Sequence, residues 1–497
     1  MGVAEAVSPF VRVAFLACFL WVETAAAGAL VSPGDAGLRH DLQLLADHGI
    51  VTGPVTTWPL AWGPVLADVE RVGAAGALPP QVAGALARVR DRARRETGNG
   101  LRYRARASAA EEPTRIRGFA ATPRESGEVG AGLSWSGSRL SVELNGQFVA
   151  SPDDGKKYRA DGSMIGVLLG NYSVAVGTMD RWWGPGWDGS LILSGNARPI
   201  PALTIDRNFT DAFDTKWLSW LGPWDLSAIF GQMESERAVP DAQFFGFRVS
   251  FRPLTSLEIG FSRTAQWCGE DRPCDIDTFV DLLLGRDNRD DDGIGDDNEP
   301  GNQLAGIDFR WSAAPFRLPF ALYGQFIGED EAGGFPSRYL GQLGVDASGL
   351  LRDAWSYRVF GEVADTTCGF YKSEAIFNCA YNHSIYSTGY RYRGRVVGHG
   401  ADNDARIFSG GLMLIDRNNT EWQALLRYGE LNRGGAADAG NSLTPTKQEL
   451  LSLDVSYSRA FRYGVVAAGA GVERIDDALS AQTDNNVRAF IQWRSSE

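Results

Sequence analysis

The sequence lacks the long hydrophobic runs that membrane-spanning helices need. Only residues 13–22 are continuously apolar, and that run is too short to cross a bilayer. A protein built from transmembrane helices is therefore excluded. A β-barrel is not excluded, because each of its strands alternates apolar and polar residues and so escapes hydropathy analysis.

Histidine and lysine are also scarce, and the formal net charge is −13. This acidic balance argues against nucleic acid as a partner. The chain contains no G-x-S-x-G elbow, no H-E-x-x-H helix and no phosphate-binding loop. Histidine occurs only at His40, His48, His383 and His399. We therefore expect a protein that is not an enzyme.

Residues 1–27 have the pattern of a secretory signal. Arg12 precedes the apolar run, and Ala25, Ala26 and Ala27 follow it as a small-residue cleavage site. Cys18 lies inside the run, but the residues before it make a poor lipidation motif. We expect cleavage after Ala27 and export of the remaining chain.

Four cysteines follow the expected signal, as two close pairs. Export makes disulfide formation available, and three pairings are formally open. The spacing favours two local bridges, Cys268–Cys274 and Cys368–Cys379. Zinc is the competing interpretation, but neither pair has C-x-x-C spacing.

Residues 28–98 predict a small helical unit. Leu38, Leu42 and Leu45 form a helical stripe, with Asp35 available as its N-cap and Gly49 as its stop. Second and third helices are predicted from Trp62 to about residue 72 and over 79–97. Such helices can bury their apolar stripes against each other or inside a barrel, and an independent periplasmic domain is the alternative.

From residue 99 to 497 the apolar period changes from 3.6 to 2. In the first such run, Leu101 and Tyr103 alternate with Arg102 and Arg104. Nearly 400 residues at roughly 22 per strand and connection predict about 18 strands. A soluble sandwich would show the same alternation, but the secretory signal and the number of strands favour a transmembrane antiparallel barrel. The predicted fold class is mainly β, with a small helical unit at the N-terminus of this barrel.

The densest cluster of aromatic residues lies in residues 180–207. Tryptophans surround a Gly-Pro-Gly turn, and amide, carboxylate and guanidinium groups follow. One interpretation is a tight turn whose rings fill the interior of the fold. The other is a sugar-binding face, because tryptophan stacks on sugar C–H surfaces while polar groups take the hydroxyls. The candidates are Trp182, Trp183, Trp187, Asp188, Asn196 and Arg198.

A second candidate site lies in residues 379–406, where tyrosines alternate with arginines. On a strand this alternation would place rings on one face and guanidiniums on the other. Rings would stack on sugars, and guanidiniums would fork uronate carboxylates. A row of outward tyrosines opposite a ladder of lumenal arginines is the alternative. The candidates are Tyr390, Arg391, Tyr392, Arg393, Arg395 and His399.

An acidic, glycine-rich loop at residues 285–302 matches part of an EF-hand calcium pattern. No second helix is predicted after it, so a solvated acidic loop is the competing interpretation. No other cofactor is expected. The candidate calcium ligands are Asn288, Asp290, Asp292, Asp296 and Glu299.

Four stretches of the sequence resemble, in the same order, those of the capsule assembly Wzi family. They are LRHDLQLLADHG, the tryptophan-rich segment, GRDN…PGNQLAG and HSIYSTGYRYRGR…GH. The resemblance implies a barrel in the bacterial outer membrane whose periplasmic mouth is plugged by the N-terminal helices.

The same resemblance implies a lectin that anchors capsular polysaccharide or exopolysaccharide at the cell surface. The expected partners are this polysaccharide, an acidic one if the arginines contact it, and outer-membrane lipid, with the protein itself a monomer. An outer-membrane diffusion porin is the alternative function, because it would have the same barrel and a polar lumen.

Overall fold

The computed structural model describes most of the chain after its first segment. The described ranges are residues 30–73, 78–284, 301–313, 319–332, 335–352, 354–435 and 440–495. The predicted signal at 1–27 and the candidate calcium ligands Asn288, Asp290, Asp292, Asp296 and Glu299 lie outside them. Within these ranges, no helix is both long and apolar enough to cross a membrane.

The N-terminal helices form where the apolar stripes predict them. The described residues contain α1 (Ala36–Asp47), α2 (Trp62–Arg71), α3 (Pro80–Thr97), α4 (Ile276–Leu284) and one 3₁₀ turn (Ser219–Leu221). The Asp35 carboxylate caps α1 by accepting the Leu38 N–H at 2.9 Å. The alternation of the sequence did not predict α4.

Eighteen strands of the described chain form one closed antiparallel barrel, as predicted. They are β1 (Gly100–Glu111), β2 (Gly127–Ser136), β3 (Leu140–Ala150), β4 (Met164–Leu169), β5 (Tyr172–Gly177), β6 (Ala202–Arg207), β7 (Trp224–Gln232), β8 (Gln243–Leu254), β9 (Leu257–Trp267), β10 (Gly301–Ala313), β11 (Phe320–Ala332), β12 (Phe335–Leu351), β13 (Trp355–Asp365), β14 (Arg406–Ile415), β15 (Glu421–Leu431), β16 (Gln448–Phe461), β17 (Gly464–Asp477) and β18 (Thr483–Arg494). The last strand pairs with the first in the register Trp493↔Ala107, which closes the barrel.

Short two-residue strands decorate this barrel and the segments inside it. Their bounds are Leu30–Val31, Thr57–Trp58, Leu60–Ala61, Tyr158–Arg159, Trp182–Trp183, Arg391–Tyr392 and Arg395–Val396. Two of their pairings matter below. Trp182–Trp183 pairs with Thr57–Trp58, and Arg391–Tyr392 pairs with Arg395–Val396 as a small hairpin.

Successive residues of the barrel strands face opposite environments. On β1, Tyr103 points outward and is 69% exposed, whereas Arg104 points inward and pairs with Glu143 of β3. On β8, Arg248 points inward and forms a buried ion pair with Asp308 of β10. The outside is therefore apolar and the inner wall polar, as in barrels that cross a membrane.

The two ends of the barrel differ in the length of their connections. Both described termini and α1–α3 lie at the short-connection end, which includes the turn at 462–463 and one longer connection, residues 208–223. The other end, the long-connection end, carries residues 112–126, 151–163, 178–201, 233–242 and 366–405. Three of these connections fold back into the barrel, namely residues 112–126, 178–201 and 366–405.

Helix α1 enters the barrel from the short-connection end and meets the polar wall. The His40 ring lies 2.8 Å from the Ser356 hydroxyl, and Arg310 of β10 donates to the Asp47 carboxylate at 2.5 and 3.1 Å. Burial, reinforced by the nearby Arg358, lowers the pKa of His40 well below its ordinary value. The helical unit therefore occupies lumenal space that a porin would leave to water.

Candidate functional site

The first inner segment, residues 178–201, leaves the wall after β5 and crosses the lumen before β6. It contains the predicted tryptophan cluster. Wall residue Glu362 of β13 accepts the backbone N–H groups of Trp187 and of Asp188, the latter at 3.0 Å. The Tyr323 hydroxyl of β11 donates to the same carboxylate at 2.8 Å. Because the carboxylate oxygens that accept these N–H groups belong to a strand residue, the barrel wall fixes the path of the segment.

Two wall glutamines hold the same segment further along. Gln325 of β11 accepts the Leu191 N–H at 2.6 Å and donates to the Trp183 carbonyl at 2.9 Å. Gln342 of β12 donates to the Gly189 carbonyl at 3.0 Å. The backbone N–H and C=O groups of an irregular segment inside a barrel have no neighbouring strand to pair with, and these glutamine side chains supply the missing hydrogen bonds.

The glycines of the segment are required by close approach. A Cβ at Gly186 would lie 2.1 Å from the Gly189 carbonyl oxygen, and one at Gly189 would lie 2.1 Å from the His399 ring. No side chain fits at either position without moving its neighbours. The motif WGPGWDG is thus explained by packing inside the barrel.

The structure buries the tryptophans that the sequence offers as a sugar-binding face, which agrees with the alternative that their rings fill the interior of the fold. Trp182, Trp183 and Trp187 are all buried, and the Trp182 ring lies 5.3 Å from that of Phe119, edge to face. The ring of Trp58, in the helical unit, also packs edge to face on that of Phe119, with 5.1 Å between centroids. The rings fill the lumen where helical unit and inner segment meet, so no sugar reaches their faces.

Arg39 of α1 is enclosed by the same aromatic rings. Its guanidinium carbon lies 4.3 Å from the Phe119 centroid and 4.4 Å from that of Trp187. It donates to the Pro185 carbonyl at 2.9 Å. Burial lowers the pKa of Arg39 to about 9, with Glu362 opposing that shift. One side chain therefore joins the helical unit to the 112–126 connection and to the first inner segment.

Asp188 and Asn196, two of the predicted sugar ligands, are buried and engaged within the protein. Asp188 is bound by Arg427 of β15, and the Ser409 hydroxyl donates to it at 2.5 Å. Burial opposes ionisation, but Arg427 and Ser409 hold the pKa of Asp188 below its usual value. Asn196 donates to the Val396 carbonyl at 3.1 Å. Their role in this structure is to hold the segment.

The second inner segment, residues 366–405, packs on the first from the long-connection end. The Tyr381 hydroxyl donates to the Leu191 carbonyl at 2.6 Å, and the Tyr390 hydroxyl donates to the Ile192 carbonyl at 2.8 Å. Burial raises the pKa of Tyr390. The predicted long strand with rings on one face and guanidiniums on the other does not form, because only Arg391–Tyr392 and Arg395–Val396 are strands here, as a two-residue hairpin.

Arg391 and His399, also predicted as sugar contacts, are structural in this segment. Arg391 forks the Asp402 carboxylate at 2.6 and 2.9 Å, and both side chains are buried. His399 is buried beside Asp188. Burial lowers the pKa of His399 to about 4, and the Asp188 carboxylate offsets this only in part. Both groups stabilise the loop and are not available to a polymer outside.

Both predicted disulfides are present. Cys368–Cys379 lies within the second inner segment, and Cys268–Cys274 closes the start of the connection that leads to α4. The Cys368–Cys379 disulfide and the Arg391–Asp402 ion pair restrain the second inner segment at separate points.

The hairpin of residues 391–396 brings two predicted arginines to the long-connection end. Its turn places Arg393 at φ 49° and Gly394 at φ 79°. Arg393 is partly exposed, lies over the Tyr392 ring at 5.4 Å and is 4.0 Å from Glu236. Arg395 is partly exposed and lies 3.6 Å from Asp153. Tyr392 itself is buried beneath them.

We call the exposed groups around this turn the hairpin surface. Arg115 of the 112–126 connection is half-exposed beside Arg395, which donates to its carbonyl at 3.3 Å. Lys156 is exposed and pairs with Glu236 at 2.8 Å. Burial, reinforced by Arg124, lowers the pKa of Arg395. The hairpin surface comprises Arg115, Lys156, Arg393 and Arg395 with Asp153 and Glu236, a mixture of donors and acceptors suited to hydroxyls and carboxylates.

Arg198 lies near the hairpin surface but is committed to two carboxylates. It donates to Asp161 at 2.7 and 2.8 Å and also to Asp154. Although burial opposes it, these partners raise the pKa of Arg198. It therefore ties the first inner segment to the 151–163 connection.

Sequence reasoning missed the wall residues that hold the inner segments. Glu362, Gln325 and Gln342 stand at inward positions of strands, and only their polar character marked them. Arg39 and Phe119 gave no separate signal, because a helix arginine and a loop phenylalanine are ordinary in sequence.

A closed barrel with an apolar outer face, a polar inner wall and a lumen crossed by inward-folded loops defines an outer-membrane β-barrel of the occluded type. The model of the family described as capsule assembly protein Wzi matches residues 96–489. The chain belongs to this family.

Two known proteins are similar to it over most of their length. An uncharacterized 55.8 kDa protein in the cps region of Klebsiella pneumoniae is 33% identical over 420 residues, which are 83% of this chain and 79% of that protein. The solved structure of Wzi from Escherichia coli, an outer membrane protein involved in group 1 capsule assembly and a carbohydrate-binding β-barrel, superimposes with a TM-score of 0.81. It is 27% identical and covers 94% of this chain and 99% of its own. The resemblance to the capsule assembly Wzi family, predicted from the sequence, is confirmed.

Proposed function

We propose that this protein binds capsular polysaccharide or exopolysaccharide at the cell surface and holds it there during capsule assembly, without catalytic turnover. The observation that carries the proposal is the shared architecture. The Escherichia coli carbohydrate-binding barrel matches 94% of this chain and 99% of its own length. A porin needs an open lumen, whereas in this protein the inward-folded connections occupy the lumen.

The polymer would meet the long-connection end. Outer-membrane barrels place their longer connections outside the cell and their short turns in the periplasm. The N-terminal helices would then plug the periplasmic mouth, and the hairpin surface would face the capsule. Because Trp182, Trp183 and Trp187 are buried, we assign recognition to the hairpin surface and not to the tryptophans.

We infer that the ligand is an acidic polysaccharide. Arg393 and Arg395 are partly exposed and only loosely paired, at 4.0 and 3.6 Å from their carboxylates. A uronate or another anionic sugar substituent can exchange for those partners through charge-assisted hydrogen bonds. Each contact would be weak, but a polymer presents the same repeat many times, so a cell surface carrying many copies of this protein, which we take to be a monomer, retains it by avidity.

The test combines binding with conductance of the full-length protein. Immobilised protein is titrated with purified capsule polysaccharide and with its carboxyl-reduced form, and ion flow is measured in planar bilayers. The proposal expects saturable binding, weaker for the reduced polymer, and little conductance. Absence of binding together with steady large openings would establish the porin instead. Equal binding of both polymers would overturn the acidic-ligand inference alone.

A further inference from the structure

Helix α4 lies on the outside of the barrel, not in its lumen. On β8, Phe244 and Arg248 contact inner groups, so alternation turns Phe245 outward. Phe279 of α4 packs on this outward ring at 5.4 Å and on Trp267 of β9 at 4.8 Å. The helix therefore covers the outer wall near the long-connection end.

The C-terminal end of α4 is bound to the same outer wall. Arg263 lies on β9 two residues before Ala265, the residue that pairs with the outward Phe245. Arg263 therefore also faces outward. Its guanidinium donates to the carbonyls of Leu282 and Leu283 at 2.5 and 2.9 Å. A cation there also complements the negative end of the helix dipole. The contact holds α4 against the wall independently of the aromatic packing.

Three environments divide the circumference of α4. At about 100° per residue, Phe279 and Leu282 share one face, which packs on the wall. Ile276, Val280 and Leu283 form the next face, and they are 74%, 42% and 37% exposed. The acidic residues Asp277 and Asp281 occupy the third. A helix with wall, apolar and charged faces in succession is typical of one that lies in a membrane interface.

A second external element covers the other end of the same wall. Trp220 packs edge to face on the outward Phe251 of β8 at 6.4 Å. Phe213 stacks on Trp224 of β7 at 4.6 Å, and the Arg207 guanidinium carbon lies 3.8 Å from the Trp224 ring centroid. We call residues 213–221 the external segment.

The external segment also exposes apolar side chains. Trp217 is 88% exposed, Leu218 is 41% exposed and Trp220 is 63% exposed. Tryptophan prefers the membrane–water boundary, where its ring is apolar and its N–H can reach water or headgroups. In bulk water this cluster would be an unfavourable apolar patch.

The two elements bracket one band of lipid-facing surface. Phe245 lies under α4 and Phe251 lies under the external segment, six positions apart on β8. At about 3.3 Å per residue and a tilt of about 40°, these two contact points are separated by roughly 15 Å across the membrane and lie inside an apolar belt of about 25 Å. The helix α4 and the external segment belong to connections at opposite ends of the strands, so they extend from these points toward the two edges of the belt. Between them Phe247 and Phe261 are exposed on the outer wall.

We propose that α4 and the external segment are lipid-binding elements that lie in the two opposite interfaces of the membrane and fix the depth of this side of the barrel. The continuity of their exposed side chains with the lipid-facing belt identifies acyl chains and headgroups as the occupant. The proposal predicts a fixed sector, over β7–β9, through which the barrel is anchored at both leaflets.

Nitroxide labels on the full-length protein test this placement. The four cysteines of the described chain are paired in disulfides, and Cys18 lies in the signal that we expect to be cleaved, so the thiol of Val280→Cys or of Trp217→Cys accepts the label. The protein is reconstituted in phosphatidylcholine liposomes, and collisions with oxygen and with a water-soluble nickel chelate are measured. Asp277→Cys is the control on the charged face of α4, and Phe261→Cys is the control in the belt.

The expected result is an oxygen-to-nickel ratio at Val280 and Trp217 that is roughly threefold or more above that at Asp277 and approaches that at Phe261. Equal ratios at Val280 and Asp277 would overturn the proposal, because both faces of α4 would then be in water. Labels shielded from both reagents, with a doubled particle mass, would also overturn it and identify a second copy of the chain as the occupant.

Discussion

Asp188 in the first inner segment and Arg427 on β15 form a forked ion pair across the boundary between the segment and the wall, at 2.6 and 2.9 Å. Both side chains are buried. Asp188 belongs to an irregular loop and Arg427 to a strand, so the ion pair holds the loop against the rigid barrel wall. Ser409 adds a third bond, which leaves the carboxylate with partners on two neighbouring strands.

Replacing Asp188 by Asn should destabilise the protein more than replacing any exposed carboxylate. The amide cannot neutralise Arg427, and a buried cation without its anion costs about 3–5 kcal/mol. We expect a clear fall in the thermal unfolding midpoint in detergent. The matched control is Asp476→Asn, which removes the partner of the exposed Arg474 and should leave the midpoint near the wild-type value. Equal midpoints for the two variants would contradict the structural role of the pair.

The alternation of the sequence predicted the strands, because neighbouring residues of each strand face different environments, and the secretory signal together with the number of strands favoured a barrel over a soluble sandwich. Tyr103 against Arg104 is an example, and the closed count of eighteen strands follows from that period and the chain length. The first three helices were equally predictable from their stripes and from the Asp35 cap.

The candidate site was predicted less well, because it depends on contacts between distant residues. Arg391 and Arg393 look equivalent in the run GYRYRGR, yet Arg391 is buried on Asp402 and Arg393 is at the tip of a hairpin. The left-handed turn at Gly394 decides the difference. Likewise, nothing local distinguishes a tryptophan for sugars from one that fills a lumen.

The aromatic enclosure of Arg39 should control how firmly the helical unit is held in the barrel. Arg39→Ala removes a cation from the rings of Phe119 and Trp187 and leaves a cavity between the helical unit and the first inner segment, a combined loss of about 3 kcal/mol. We expect faster amide hydrogen exchange in α1, measured by mass spectrometry, with the barrel strands unchanged. Arg71→Ala on the exposed side of α2 is the control and should leave exchange in α1 as it was. Unchanged exchange in the Arg39 variant would show that the cage does not anchor the unit.

The hairpin surface gives a direct test of polysaccharide recognition. Arg393→Ala together with Arg395→Ala removes two partly exposed guanidiniums, and we expect the affinity for an acidic capsule polysaccharide to fall about tenfold. Titration of immobilised protein measures this. Arg459→Ala with Arg462→Ala makes the same charge change at the short-connection end and should bind like the wild type. Equal affinities for both double variants would remove the hairpin surface from the binding site.

Arg391→Ala should behave differently from the hairpin pair. Its loss leaves Asp402 buried without its cation, so the second inner segment should loosen and the unfolding midpoint should fall. A variant that keeps full stability and loses binding alone would mean that Arg391 contacts the polymer, contrary to its position in the structure.

The buried His399 should make the stability of the protein depend on pH. Burial lowers its pKa to about 4 in the folded state, whereas an unfolded histidine takes up a proton near pH 6.5. Between these values the unfolded state binds more protons, so the free energy of unfolding should fall on acidification, by about 1.4 kcal/mol per pH unit for this residue. His399→Gln should reduce that slope. Unfolding midpoints at pH 8 measure the packing cost of the substitution, since the histidine is neutral there in both states, and the further change down to pH 4 isolates the proton. A slope identical in variant and wild type would mean that His399 is protonated inside the folded barrel.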